Sequence, residues 1–204
     1  QALAHSGLLS RKLGGPSVRP YQPPGIWRAG AFDPTGNKWT AQVYRQDQGE
    51  KLYRRSMYTF WKRTAPPPAM LVFDASDRQR SCVKRTRMNT PLQALVLMND
   101  PQFVEAARKL AERIMLEGGE SPDERIRFGF RLLTCREPSA SELFPLLTLF
   151  EKQLARFIEQ PQAAEEFLTV GHSKRNRALD TEELAAYATV CSVLLNLDET
   201  ITKN

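Results

Sequence analysis

Five cations fall within ten residues at Arg78, Arg80, Lys84, Arg85 and Arg87. Just before them, Arg54-Arg55 and Lys62-Arg63 flank the aromatic stretch Tyr58-Thr59-Phe60-Trp61. Guanidinium forks bind carboxylate, sulfate or phosphate through paired hydrogen bonds, and interleaved rings can stack a base or a sugar. The cluster therefore reads as an anion site. The junction from Arg85 to Thr90 is its best-placed part, because Asn89-Thr90-Pro91 opens a helix. A helix N-terminus presents free N–H groups and partial positive charge, to which Arg85 and Arg87 add full charges. The candidate binding residues are Arg54, Arg55, Trp61, Arg63, Arg85, Arg87, Asn89 and Thr90.

A competing reading is that these arginines pair with carboxylates of the same chain. Residues 1–87 hold 16 Lys and Arg against 5 Asp and Glu, a balance of +11, whereas residues 88–204 hold 13 against 18, a balance of −5. Such complementary halves favour internal pairing, so an internal carboxylate is the expected anion at the Arg87 junction. Other constellations are weaker still. Cys82 lies near Arg80 and Lys84, which lower a thiol pKa, but no histidine is close in sequence to serve as its base. It reads as a buried or bridged structural cysteine, and Cys135 and Cys191 read as core. Gly14-Gly15-Pro16-Ser17 lacks the lysine and the following helix of a P-loop, so it reads as a turn. Asp74 and Asp77 bracket Ala75-Ser76, which an Asx turn explains as well as an acid or metal role does. The two histidines, His5 and His172, are isolated, and there is no CxxC or CxxCH. No catalytic residue, zinc site or covalent haem is expected on this chain.

The elements that must position these residues fall into two regimes. All three tryptophans and eight of the fourteen prolines precede Met88. Turn and extended signals at Gly14-Gly15-Pro16, Pro23-Pro24-Gly25, Asp33-Pro34-Thr35-Gly36 and Pro66-Pro67-Pro68 make residues 1–88 irregular. Residues 89–204 are instead helical and well punctuated. Thr90-Pro91-Leu92-Gln93 combines an N-cap, an N1 proline and a glutamine at N3. Asn99-Asp100-Pro101 restarts the chain, and Ser121-Pro122-Asp123-Glu124, Ser139-Ala140-Ser141-Glu142 and Asp180-Thr181-Glu182-Glu183 each open another helix. The expected fold is mainly α: a helical, bundle-like C-terminal part wrapped by an irregular N-terminal part rich in Pro, Gly and aromatic residues. Residues 1–204 are taken as a single domain fragment in which 1–88 packs on 89–204. Hydrophobic residues make up 41% of the chain, enough for a real core. No apolar run approaches a membrane span, and Gln1 does not begin a signal-peptide pattern.

Several of these segments resemble a known family. They are Ser6-Gly7-Leu8-Leu9, Gly14 to Pro23, Arg54 to Arg63, Pro66-Pro67-Pro68, Phe73-Asp74-Ala75, Arg87 to Leu95, Asn99-Asp100-Pro101 and Leu194 to Glu199. In that order they are similar to the planctomycete cytochrome-associated family known as domain of unknown function 1553, in its C-terminal part. Where that family commonly has Arg-Thr-Asn-Thr-Pro, this chain has Arg87-Met88-Asn89-Thr90-Pro91. The resemblance implies an exported, extracytoplasmic protein of several domains, periplasmic or secreted. Any haem would sit on an upstream cytochrome-like module, and no cofactor is implied on this chain. It carries over no catalytic residue.

The expected function is a non-catalytic scaffold or interaction module whose partners are upstream domains of the same protein or an acidic protein. The alternative is the binding or processing of polyanionic, sulfated glycans, with Trp27, Trp39 and Trp61 as stacking platforms. The basic half suits nucleic acid by charge alone, but no recognised reading motif is present and implied export argues against it.

Overall fold

The computed structural model describes residues 1–29, 42–76, 81–84 and 88–202. The fold is mainly α, as expected. Helices are α1 (Ala2–His5), α2 (Ile26–Ala29), α3 (Pro68–Val72), α4 (Pro91–Asn99), α5 (Pro101–Glu117), α6 (Pro122–Thr134), α7 (Ala140–Glu159), α8 (Pro161–Leu168), α9 (Thr181–Leu195) and α10 (Asp198–Ile201). Two compact units divide the chain, one formed by Gln1–Leu8 with Ala94–Asn204 and the other by Leu9–Gln93. The first eight residues thus join the helical unit rather than the irregular one. Ala2 packs against the helical core, and Arg113 Nη1 donates to the His5 carbonyl at 3.1 Å.

Helix starts in the helical unit follow their caps. Asp100 accepts from the Gln102 N–H at 2.9 Å, with Pro101 at N1. Ser121 and Glu124 form a reciprocal capping box, and Asp180 accepts from the Glu183 N–H at 2.8 Å. At the start of α7, the Glu142 carboxylate accepts from both the N–H and the hydroxyl of Ser139. Pro145 sits inside α7 without ending it. The one bond its ring removes is to the carbonyl of Ser141, an exposed residue that water can serve. Helix α8 was not expected; its only sequence signals are Pro161 at N1 and the pair Ala164 and Leu168 at i, i+4, both buried.

The core centres on α9, which packs against α5, α6, α7 and α8. Its burial is all round: Leu184, Ala185, Ala186, Tyr187 and Ala188 are each 0% exposed. Small alanines let neighbouring helices close on every side of it. Tyr187 packs on Phe150 of α7 with ring centroids 4.3 Å apart and the planes tilted by 30°. Gly129 permits α6 to approach α5, since a Cβ there would lie 2.4 Å from Ile114 Cδ1. Cys191 is buried as expected, but Cys135 is not core. It is exposed in the left-handed residue just after α6, at φ 61°. Ile158, near the end of α7, is also exposed.

The Leu9–Gln93 unit has little regular structure, as expected. Residues 9–20 run alongside residues 53–60 through two isolated parallel bridges, Ser10 with Arg54 and Val18 with Thr59. Ser10 N–H donates to the Tyr53 carbonyl, Val18 N–H to Tyr58 and Phe60 N–H to Val18. Arg19 and Asp47 add a reciprocal pair: Asp47 N–H to the Arg19 carbonyl and Arg19 N–H to the Asp47 carboxylate. Two 3-10 turns, Gly49–Tyr53 and Ser56–Tyr58, form part of this segment. Beneath them Trp27 is buried against Tyr44 and Phe60.

Candidate functional site

Arg54 is the candidate anion clamp placed deepest in its unit. It is only 8% exposed, and its guanidinium is ringed by carbonyls of residues 12–16. Nη2 donates to Lys12 O at 3.0 Å and to Gly14 O at 2.6 Å, and Nη1 donates to Pro16 O at 3.3 Å. One face of the guanidinium lies 3.7 Å from the centre of the Tyr58 ring, and the Tyr58 hydroxyl accepts from the Gly14 N–H. Gly14 and Gly15 both take positive φ, 72° and 88°, and so curl the chain around the cation. The clamp is thus closed on backbone carbonyls of its own unit, not on a carboxylate.

Neighbouring cations behave similarly. Arg19 sits 5.0 Å above Phe60, and Lys62 sits 4.7 Å from the Trp27 ring. Arg55 and Arg63 are exposed, and Trp61 is half-buried. Thr90 and Gln93 form the expected capping box: Thr90 N–H donates to Gln93 Oε1 at 3.0 Å, and Gln93 N–H to the Thr90 hydroxyl at 3.3 Å. Gln93, 1% exposed, also donates to the Val72 carbonyl. Asn89 is exposed. Arg85 and Arg87 lie outside the described residues, as do Arg78, Arg80, Asp77 and Trp39. Cys82 is free and exposed, not buried or bridged. Burial raises the Tyr44 phenol well above its ordinary value, and its hydroxyl donates to the Pro20 carbonyl.

A second charged cluster, not singled out from the sequence, lies in the helical unit. Glu105, Arg108 and Glu112 sit on α5 at 0%, 2% and 5% exposure. Arg108 Nη1 donates to Glu112 Oε1 at 3.1 Å, and Nη2 lies 3.8 Å from Glu105 Oε1. Nη2 also donates to the carbonyl and hydroxyl of Ser173, each at 2.8 Å. In return, Ser173 N–H donates to Glu105 and Asn176 N–H to Glu112. Lys109 Nζ closes the set on Glu112. The cluster fixes residues 171–176, the connection between α8 and α9, onto the α5 surface. Gly171 is required there, because a Cβ would lie 2.4 Å from Glu105 Cδ and φ is +95°.

Several other carboxylates of the helical unit find arginines in the same unit. Glu117 pairs with Arg113 and Asp123 with Arg127 one turn along a helix. Arg125 bonds Glu183, and its guanidinium lies 5.6 Å from the centre of the Tyr187 ring. Arg136 bridges Glu142 and Glu199, tying α10 to the start of α7. The Arg136 guanidinium, with help from Ser139, holds the Glu142 carboxyl at about 2. Burial raises Asp100 above its ordinary range against the bond from Gln102. Among the described residues, no group of three or more His, Cys, Asp or Glu is arranged to hold a metal ion, and no helix is long and apolar enough to cross a membrane.

These features define a helical domain whose most deeply placed charges are engaged internally. The chain belongs to the family described as protein of unknown function (DUF1553), which matches residues 1–150. No curated protein and no solved structure matches it.

Proposed function

We propose that this chain is a non-catalytic scaffold or interaction module of a larger, extracytoplasmic, cytochrome-associated protein, docking against upstream domains of its parent. The observation that carries the reading is Arg54. The candidate clamp best placed for a ligand has both Nη groups on the carbonyls of Lys12, Gly14 and Pro16. Trp27, a candidate stacking platform, supports the same reading by being buried with Tyr44 and Phe60. The test is calorimetric titration of this chain with the separately expressed upstream segment of its parent. A stoichiometric complex is expected, and its absence would overturn the docking partner.

The exposed pair Arg55 and Arg63, near the half-buried Trp61, keeps a second reading in view: recognition of a sulfated glycan. Titration with a sulfated oligosaccharide separates the two. Saturable binding that disappears in Arg55→Ala/Arg63→Ala, with the thermal midpoint unchanged, would favour the glycan.

A further inference from the structure

The loop of residues 11–17 displays side chains that neither reading uses. All seven residues are exposed, yet their backbone is fixed from beneath by the Arg54 guanidinium and from the side by the Tyr58 hydroxyl. Burying an arginine to hold a loop sacrifices hydration and side-chain freedom, so the conformation it fixes is a specified one. What that loop displays is Leu13, 70% exposed, directly after the exposed cations Arg11 and Lys12. Met57, 68% exposed, and the exposed Arg55 stand on the segment to which the loop is bonded. Among described residues of this unit Arg28, Arg45 and Lys51 are exposed cations too, whereas Glu50 is the one exposed carboxylate.

We infer that this loop is a contact element for an anionic lipid surface, with Leu13 entering the boundary of the acyl chains and Arg11 and Lys12 meeting the headgroups. Charge and shape both favour a bilayer as the occupant. A fixed loop with a single apolar tip is much smaller than the roughly 800 Å² per partner of a stable protein interface, and a protein would need a pocket cut to receive Leu13. A bilayer accepts a protruding apolar side chain anywhere, and an anionic one attracts each nearby Lys or Arg by about 1 kcal/mol, equivalent to roughly fivefold in partitioning. A glycan would make no use of Leu13. The inference does not depend on docking to upstream domains, and it fails or stands by a separate measurement.

The test is co-sedimentation of the whole chain with vesicles of phosphatidylcholine, with and without phosphatidylglycerol. Binding to the anionic vesicles only is expected, weakening as salt is raised. Leu13→Ser should lower the partition coefficient about tenfold or more while leaving the thermal midpoint unchanged. Leu13→Trp should retain binding, and its emission should be quenched by lipids brominated in the upper acyl chain. Three results would overturn the inference: no binding to anionic vesicles, equal binding by Leu13→Ser, or saturable binding to polyglutamate without any to vesicles, which would point to an acidic protein partner.

Discussion

Replacing Arg108 by methionine removes the guanidinium that lies between two buried carboxylates. In the native chain Glu105 and Glu112 are almost wholly inaccessible, and Arg108 also satisfies the Ser173 carbonyl and hydroxyl. Glu112 keeps Lys109, whereas Glu105 loses the guanidinium opposite its buried charge. Breaking a buried ion pair by removing one partner costs about 3–5 kcal/mol, because the remaining charge is left uncompensated. Arg108→Met is therefore expected near the lower part of that range, with Ser173 adding roughly 1 kcal/mol for its orphaned carbonyl. Adding Glu105→Gln removes that carboxylate's charge while keeping an acceptor for the Ser173 N–H. The double variant should thus be less destabilised than the sum of the singles by at least about 1.5 kcal/mol. Urea denaturation with an unchanged m-value measures both quantities, and hydrogen exchange at Ser173 and Asn176 reports whether the loop has detached. A single-variant loss below about 1 kcal/mol, or strict additivity, would refute the claim that the cluster holds this loop.

Three further outcomes follow from the same geometry. Gly171→Ala should destabilise by roughly 2–4 kcal/mol in urea melts, since both the positive φ and the buried Glu105 side chain oppose a Cβ. Cys135→Gly should stabilise by about 0.5–1 kcal/mol in the same melts, because a non-glycine residue now occupies the left-handed end of α6. Glu142 is held at about 2 from an ordinary 4.5, so between those values the unfolded chain binds the more protons and stability rises with pH. The contribution is present above about pH 4.5 and lost as the pH falls toward 2; in Glu142→Gln, thermal midpoints across that window should flatten.

Helix starts were legible because each cap is a local event. Thr90 with Gln93, Asp100, Ser121 with Glu124 and Asp180 all act within three residues of themselves. What escaped depends on tertiary surroundings. Glu105, Arg108 and Glu112 have the spacing of an ordinary solvated ion-pair face. Residues 171–176 return over α5 and bond to them there, and nothing in the α5 sequence specifies that return. Cys135 sits one residue past the end of α6, where an apolar face and a capping position are indistinguishable by periodicity alone. The candidate site was partly legible: the aromatic and basic residues around Arg54 do meet, but the partner of that arginine is the turn at Gly14-Gly15-Pro16 rather than an acid. Complementary charge totals suggested carboxylates; the carboxylates named above instead pair with arginines of the helical unit itself.

The most direct test of the account is Arg54→Ala, measured for both stability and ligand binding, with Arg54→Lys alongside. Loss of the carbonyl clasp and the Tyr58 stack should cost about 2–4 kcal/mol, and lysine, lacking the fork, should recover less than half of it. The native chain should show no saturable binding of a sulfated oligosaccharide. If Arg54→Ala instead melts with the native chain and abolishes such binding, Arg54 is a ligand clamp and the module reading is contradicted.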